Sequence, residues 1–264
     1  MRASRSFSLL VLLSFARLTA VFTVNRAHRS LGVSVRTWLA VVLGGLAAAV
    51  AAQEQTSPAP PAVAGEISGH VLLLGSDGKT SPAAEAVVWV PDLGTREPAT
   101  PSAMASKAKS FSPHVVVVPR GGTVVFANLD RIYHNVFSAT AGQAFDLGLY
   151  RNNESRSHRF EAPGLVTVYC NIHPKMAGYV RVVEGAWAMT DAAGVFRIPD
   201  VTAGRHTVHI WHERGGEREV AAHVHPAAAA DVQVTLDASR FQPALHKNKH
   251  GQDYPPATLD DDRY

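Results

Sequence analysis

Cysteine occurs once in the 264 residues, at position 170, and methionine only four times. A single cysteine cannot make the Cys-x-x-Cys-His pair that attaches a c-type haem. The Gly-x-Ser-x-Gly elbow of hydrolases is missing as well. No stretch after residue 64 sustains a helical period of apolar residues, so a helical domain is not expected. Acidic residues and lysine are absent from residues 1–52, which carry six arginines. That asymmetry accounts for the net charge of +3: without the segment, 19 of the 25 basic residues face 22 acidic ones, a net of −3. The basic signal belongs to a targeting region, and no nucleic-acid partner is expected.

What residues 36–52 do have is the order of a secretion signal: Arg36, an apolar stretch, and small residues ending at Ala52. Cleavage after Ala52 predicts an exported, periplasmic chain beginning at Gln53. The apolar run falls short of the ~20 residues that span a bilayer, so no stable membrane span is expected in the mature chain. The preceding segment, Phe7 to Val24, is apolar but interrupted by Arg17, a costly residue at mid-bilayer. A translation start near Val33 or Val35 accounts for this second apolar segment. An exported chain meets an oxidising compartment, where cysteines pair. Cys170 is then either occupied or a buried structural thiol.

Residues 53–63 are a Pro-rich linker. From Gly65 onward, short β-branched runs alternate with Gly, Pro and Asp, the punctuation of an all-β sandwich. Strands are predicted at 67–74, 86–90, 114–118, 123–128, 134–137, 157–160, 165–170 and 178–183. Gly121-Gly122 is predicted to close a hairpin between the third and fourth of these. Residues 92–110 are predicted as a long mobile or surface loop. After Glu184 about five more strands follow, at 187–190, 195–198, 205–211, 217–224 and 231–236. Some 50 residues cannot bury a sufficient core alone, so this unit should pack on the preceding domain. From Ser239 the chain turns polar, and an extended or disordered tail is expected.

Cys170-Asn-Ile-His173-Pro-Lys-Met176 places a thiolate, an imidazole and a thioether within seven residues, and His134 ends a loop before an apolar strand. Two imidazoles, one thiolate and a weak axial methionine form the ligand set of a blue-copper electron-transfer site. In 165–170 the alternation puts Val166, Val168 and Cys170 on one face, so the sulfur sits where a core strand ends. The loop that follows can fold His173 and Met176 back over it.

Phe111-Ser-Pro113, Gly121 to Asn128, His134-Asn135-Val136 and Cys170-x2-His173-x2-Met176 resemble a cupredoxin of the plastocyanin/amicyanin family over about residues 65–184. The two-residue gap between His173 and Met176 is similar to the amicyanin branch. The resemblance implies a Greek-key β-sandwich with one type 1 copper ion, Cu(I)/Cu(II), held by His134, Cys170, His173 and Met176. It also implies that the Asn135 backbone N–H reaches the thiolate while its side chain ties the two ligand loops together. Small cupredoxins commonly carry proline where this chain has Ile172, which keeps an N–H and offers a second donor to the sulfur. Lys175 replaces an aromatic residue beside the exposed ligand. The segment Thr190 to Glu213 resembles a transthyretin-type, carboxypeptidase regulatory-like β-module. The two together are similar to proteins described as methylamine-utilisation-like. The expected domains are therefore a cupredoxin at 64–184, a β-module at 185–238 and a tail at 239–264.

Thirteen histidines include a possible second cluster. If Gly215-Gly216 is a two-residue turn, His206 lies opposite His225 with His223 on the same face. Those three either bind a second metal or are solvated side chains. His246 and His250 carry no predicted role. The function expected is single-electron transfer between a dehydrogenase or other reductase and a c-type cytochrome or oxidase. A copper-binding structural or delivery protein is the alternative, disfavoured by the scattered methionines. With one ligand set only, an enzyme is not expected.

Overall fold

The computed structural model of the chain describes residues 64–95, 102–243 and 246–254; the predicted targeting region and linker lie outside them. The described residues are all-β, in seventeen strands. They are β1 (Gly65–Leu74), β2 (Thr80–Pro82), β3 (Val87–Val90), β4 (Ser102–Lys107), β5 (Ser110–Ser112), β6 (Val115–Pro119), β7 (Thr123–Asn128), β8 (His134–Ser138) and β9 (Phe145–Tyr150), then β10 (Ser155–Arg159), β11 (Gly164–Tyr169), β12 (Ala177–Val183), β13 (Ala186–Met189), β14 (Val195–Val201), β15 (Gly204–His212), β16 (Gly216–Val224) and β17 (Ala229–Asp237).

Two sandwiches result. The first stacks the sheet β10-β7-β4-β5 against β6-β12-β11-β8-β9. Period-2 alternation buries Val124 and Phe126 of β7, and Val166 and Val168 of β11, together with Met104, Val136, Tyr150 and Phe160. The second is built from β14-β1-β17, with β2 beside β1, and from β13-β3-β15-β16. Its core contains Ile67, Val71, Val88, Ile198, Val208, Ile210 and Val234. Gly69 lets β17 run parallel beside β1, because a Cβ there would sit 1.9 Å from the Val232 carbonyl oxygen.

The pairing changes the expected domain boundary. Gly65–Val90 was expected within the cupredoxin, yet β1 and β3 pair with β14, β17, β13 and β15. The first sandwich is inserted between β3 and β13, where Val90 faces Ala186. Alternation reports which face of a strand is buried and not which strand lies beside it, so the insertion leaves no trace in local pattern. Gly121-Gly122 likewise links β6 and β7 across two sheets rather than closing a hairpin. Gly121, at φ +80°, donates to the Phe160 carbonyl at 2.7 Å, and the Gly122 carbonyl accepts from Phe160 N–H at 2.9 Å. The predicted loop at 92–110 contains β4 and the first residue of β5; the Ser, Ala and Lys residues of β4 have weak strand preference. The parallel pairing of β4 with β7, and the antiparallel pairing of β5 with β4, supply what local preference does not.

Val87 and Trp89 of β3, Trp211 of β15, Val115 and Val117 of β6 and Val183 of β12 form a shared apolar layer between the sandwiches. This explains why β3 and β6 are buried along their whole length: each has a core on one face and the layer on the other. Arg181 lies 4.1 Å from the Trp89 ring centroid and 3.0 Å from Glu217. At the edge of the layer, His114 Nε2 meets Glu213 Oε2 at 2.5 Å. The hydrogen bond to Glu213 raises the His114 pKa above its ordinary value against the opposing effect of burial. The same bond lowers Glu213.

A raised histidine stabilises below its ordinary pKa of 6.5 and loses that contribution as pH rises through its folded value. A lowered glutamate stabilises above 4.5 and loses its contribution as pH falls. The pair is therefore strongest between those two values. Thermal unfolding at pH 5.5 and 8.5 should show the native chain losing more stability at the higher pH than His114→Gln does. The difference should be under about 1 kcal/mol, because the pair is partly solvated.

Candidate metal centre

Cys170 follows the last residue of β11, and its sulfur is fully buried in the first sandwich. His134 opens β8, the neighbouring strand, where Phe137 pairs with Tyr169. The loop after Cys170 closes on itself: Cys170 N–H donates to the Met176 carbonyl at 3.1 Å and Met176 N–H to the His173 carbonyl at 3.0 Å. Two facing Nδ1 atoms result, with Cys170 Sγ 3.7 Å from that of His134 and 3.3 Å from that of His173. The donor atoms of these three residues all lie within 4.8 Å of one another, and all three residues are buried. Met176 is also fully buried and packs in the same core.

The surroundings suit a thiolate. Burial pushes the Cys170 thiol up, opposed by backbone N–H groups of Asn135, Ile172 and His173 that donate to the sulfur. Three donors directed at one sulfur stabilise its charged form, and a cation would complete that compensation. Burial likewise lowers His134, against the partial opposition of Asp130, which keeps the imidazole neutral and its lone pair available. The donor set of two imidazoles, a thiolate and a thioether fits copper.

Asp130, which gave no signal in the sequence beyond its place four residues before His134, fixes that ring. Its Oδ2 lies 2.8 Å from His134 Nε2, leaving Nδ1 to face the sulfur. The carboxylate is held in turn by the N–H groups of Ala108 and Lys109, at 2.7 and 2.9 Å. Burial works to raise the Asp130 pKa, but these N–H groups and His134 outweigh it and lower it. Ala108 and Lys109 form the β4–β5 turn with φ of +52° and +53°, the left-handed region that costs non-glycine residues about 1–2 kcal/mol each. Asp130 holds that strained turn in place. Asn128, fully buried, shapes the intervening loop by accepting from Asp130 N–H and donating to the Ile132 carbonyl, both at 2.9 Å.

Asn135 departs from part of the expected role. Its backbone N–H reaches the sulfur. Its side-chain amide, however, donates to Asp146 of β9 at 2.7 Å rather than tying the two ligand loops together. Its Oδ1 is buried without a hydrogen-bond partner among the described residues. A backbone hydrogen bond from Ile172 to the sulfur is among the contacts that lower the Cys170 pKa against burial. Lys175 is exposed. Tyr150, opposite His134 across β8 and β9, also lies close to the centre. Its hydroxyl is buried without a hydrogen-bond partner among the described residues, and burial and Cys170 together raise its pKa.

The second histidine cluster does not form. The β15–β16 register places His206 opposite Ala222, because the turn takes three residues, 213–215, rather than two. His206 is buried against Asp92 at 2.9 Å and the Thr202 carbonyl at 2.8 Å. His223 and His225 are exposed neighbours with ring centroids 4.6 Å apart.

No family model and no curated protein matches the chain. Among solved structures it is similar to a copper-containing nitrite reductase from Thermus scotoductus SA-01, at 29% identity over 34% of this chain, with a TM-score of 0.31. The match spans about a quarter (24%) of that protein. It is also similar to a purple cupredoxin from Nitrosopumilus maritimus: 27% identity, 31% of this chain, 98% of that one and a TM-score of 0.28. A Cu(I) amicyanin variant matches at 20% identity over 36% of this chain and 97% of that one, with a TM-score of 0.30. The nitrite reductase corrects one expectation: a single copper ligand set does not exclude an enzyme, since a redox enzyme is among the likenesses. At these TM-scores the chemistry of the centre rests on its own donor atoms.

Two outcomes test the surroundings of the donors. Asp130→Ala should weaken copper binding about 10–100-fold in a chelator competition, the usual effect of removing the partner of a ligand histidine. Ile172→Pro removes a hydrogen bond that favours the reduced ion, so the measured reduction potential should fall; an unchanged potential would refute the role.

Proposed function

We propose that the chain binds one type 1 copper ion at His134, Cys170, His173 and Met176 and carries single electrons. The observation that supports this reading is the convergence of the Cys170 sulfur and two imidazole Nδ1 atoms within a buried, 4.8 Å cluster. Copper would supply the one-electron couple. The chain's own residues do the rest: Asp130 orients His134, three backbone N–H groups stabilise the thiolate, and the apolar core keeps water away. Ligands fixed by their neighbours change little between oxidation states, which favours fast transfer.

The expected partners are redox proteins, a dehydrogenase or other reductase as donor and a c-type cytochrome or oxidase as acceptor. Export to the periplasm is part of the proposal, supported by the arginine-led apolar segment ending at Ala52. Among the described residues no helix is long and apolar enough to cross a membrane. The second sandwich, which resembles a carboxypeptidase regulatory-like module in sequence, serves in this reading as the base on which the copper sandwich is mounted.

Residues 53–264 mixed with Cu(II) should develop an intense thiolate-to-copper band in the visible, absent from Cys170→Ser. A colourless native protein would contradict the proposal.

A further inference from the structure

The polar tail, expected to be extended or disordered, resumes at His246 as a folded turn seated on the metal centre. Asn248 organises it. Its backbone N–H donates to the Gln252 carbonyl at 2.9 Å, and its carbonyl accepts from Gly251 N–H at 2.9 Å. Its side-chain oxygen accepts from the N–H groups of His250 and Gln252 at 2.9 and 3.0 Å. Gly251, at φ +77°, supplies the left-handed residue that the turn requires. The segment thus carries short-range bonds of its own in addition to its contacts with the sandwich.

Its contacts fall on the residues that carry the ligands. Tyr254 OH donates to the Cys170 carbonyl at 3.0 Å. His246 Nε2 lies 3.3 Å from the His173 carbonyl oxygen. Lys249 N–H donates to Asn171 Oδ1 at 2.8 Å, and the Lys249 ammonium pairs with Asp146 at 2.7 Å. The His246 ring stacks on Tyr169, the residue before Cys170, with centroids 4.3 Å apart and planes 25° apart. Asp146 is the carboxylate that holds the Asn135 side chain. The tie between the two ligand loops therefore runs from Asn135 through Asp146 and Lys249 to Asn171, outside either loop.

We infer that His246–Tyr254 is a built-in strap that fixes the Cys170–Met176 loop and covers the thiol side of the centre. His173 is only 8% exposed with the strap in place. His246, Lys249 and Tyr254 are positioning residues: they grip the backbone and neighbours of the ligands and touch no ligand atom that would hold the ion. Access to the centre is then set by how often the strap lifts, a local opening separate from global unfolding. The inference rests on the copper reading only for the identity of the ion that is covered.

Labelling of Cys170 by a disulfide reagent in the metal-free, full-length chain tests this directly. The thiol is buried, so its labelling rate reports opening. Each hydrogen bond lost shifts an opening equilibrium by about fivefold. A chain ending after Pro243 should therefore label about tenfold faster or more, while retaining the sheet signal and thermal unfolding transition of the native protein. If the shortened chain fails to fold, Lys249→Ala and Tyr254→Phe in the full chain decide the matter, each labelling several-fold faster with the unfolding midpoint little changed. Equal labelling rates in all folded variants would overturn the strap. Because no metal is present, that result would leave the copper reading standing, and a colourless copper titration would leave the strap standing.

Discussion

A thiolate withdrawn from water is costly unless its charge is answered, and Cys170 is fully withdrawn. Three backbone N–H groups and two imidazole nitrogens surround its sulfur, which makes the position intelligible as a metal-held thiolate. Most other features of the first sandwich serve this placement. The core alternation of β11 delivers the sulfur to the end of a strand. The closed turn from Cys170 to Met176 returns His173 to it, and β8 brings His134 from the side.

Rigidity is supplied from further away. Asp130 fixes the His134 ring and is itself fixed by a turn whose two residues both occupy a strained backbone region. The first sandwich leaves the second at Val90 and returns at Ala186, so both of its ends are anchored in neighbouring strands. The shared layer around Trp89 and Trp211 further restricts relative movement of the two bodies. The strap from His246 to Tyr254 adds a third point of support, on the ligand loop itself. Each of these constraints holds the donor atoms of the cluster in a fixed arrangement.

Much of the centre was legible because its signals are short-range. A lone cysteine with His and Met at fixed spacing, an alternating strand before it, and a non-proline residue at 172 are all local facts. The all-β class was legible for the same reason. The insertion of one sandwich into the other was not, since β1 reads the same whichever sheet it joins. β4 was hidden by Ser, Ala and Lys, residues that become strand because β7 lies alongside, and β5 in turn pairs with β4. The tail was misjudged from its polarity. The order of its described part, 246–254, comes from Asn248, Gly251 and contacts with residues 73 to 103 positions earlier, which local composition cannot express. The turn between β15 and β16 lies at 213–215 rather than 215–216, which shifts the partner of His206 by three residues, from His225 to Ala222.

The central claim is that the chain itself holds the donor atoms in place, with the ion entering a prepared cage. Crystal structures of the metal-free, Cu(I) and Cu(II) forms test it most directly. The Cys170 sulfur and the two imidazole nitrogens should superpose within about 0.5 Å in all three, with the ion between them. A loop from Cys170 to Met176 that refolds when copper is removed, or an ion bound away from Cys170, would contradict it.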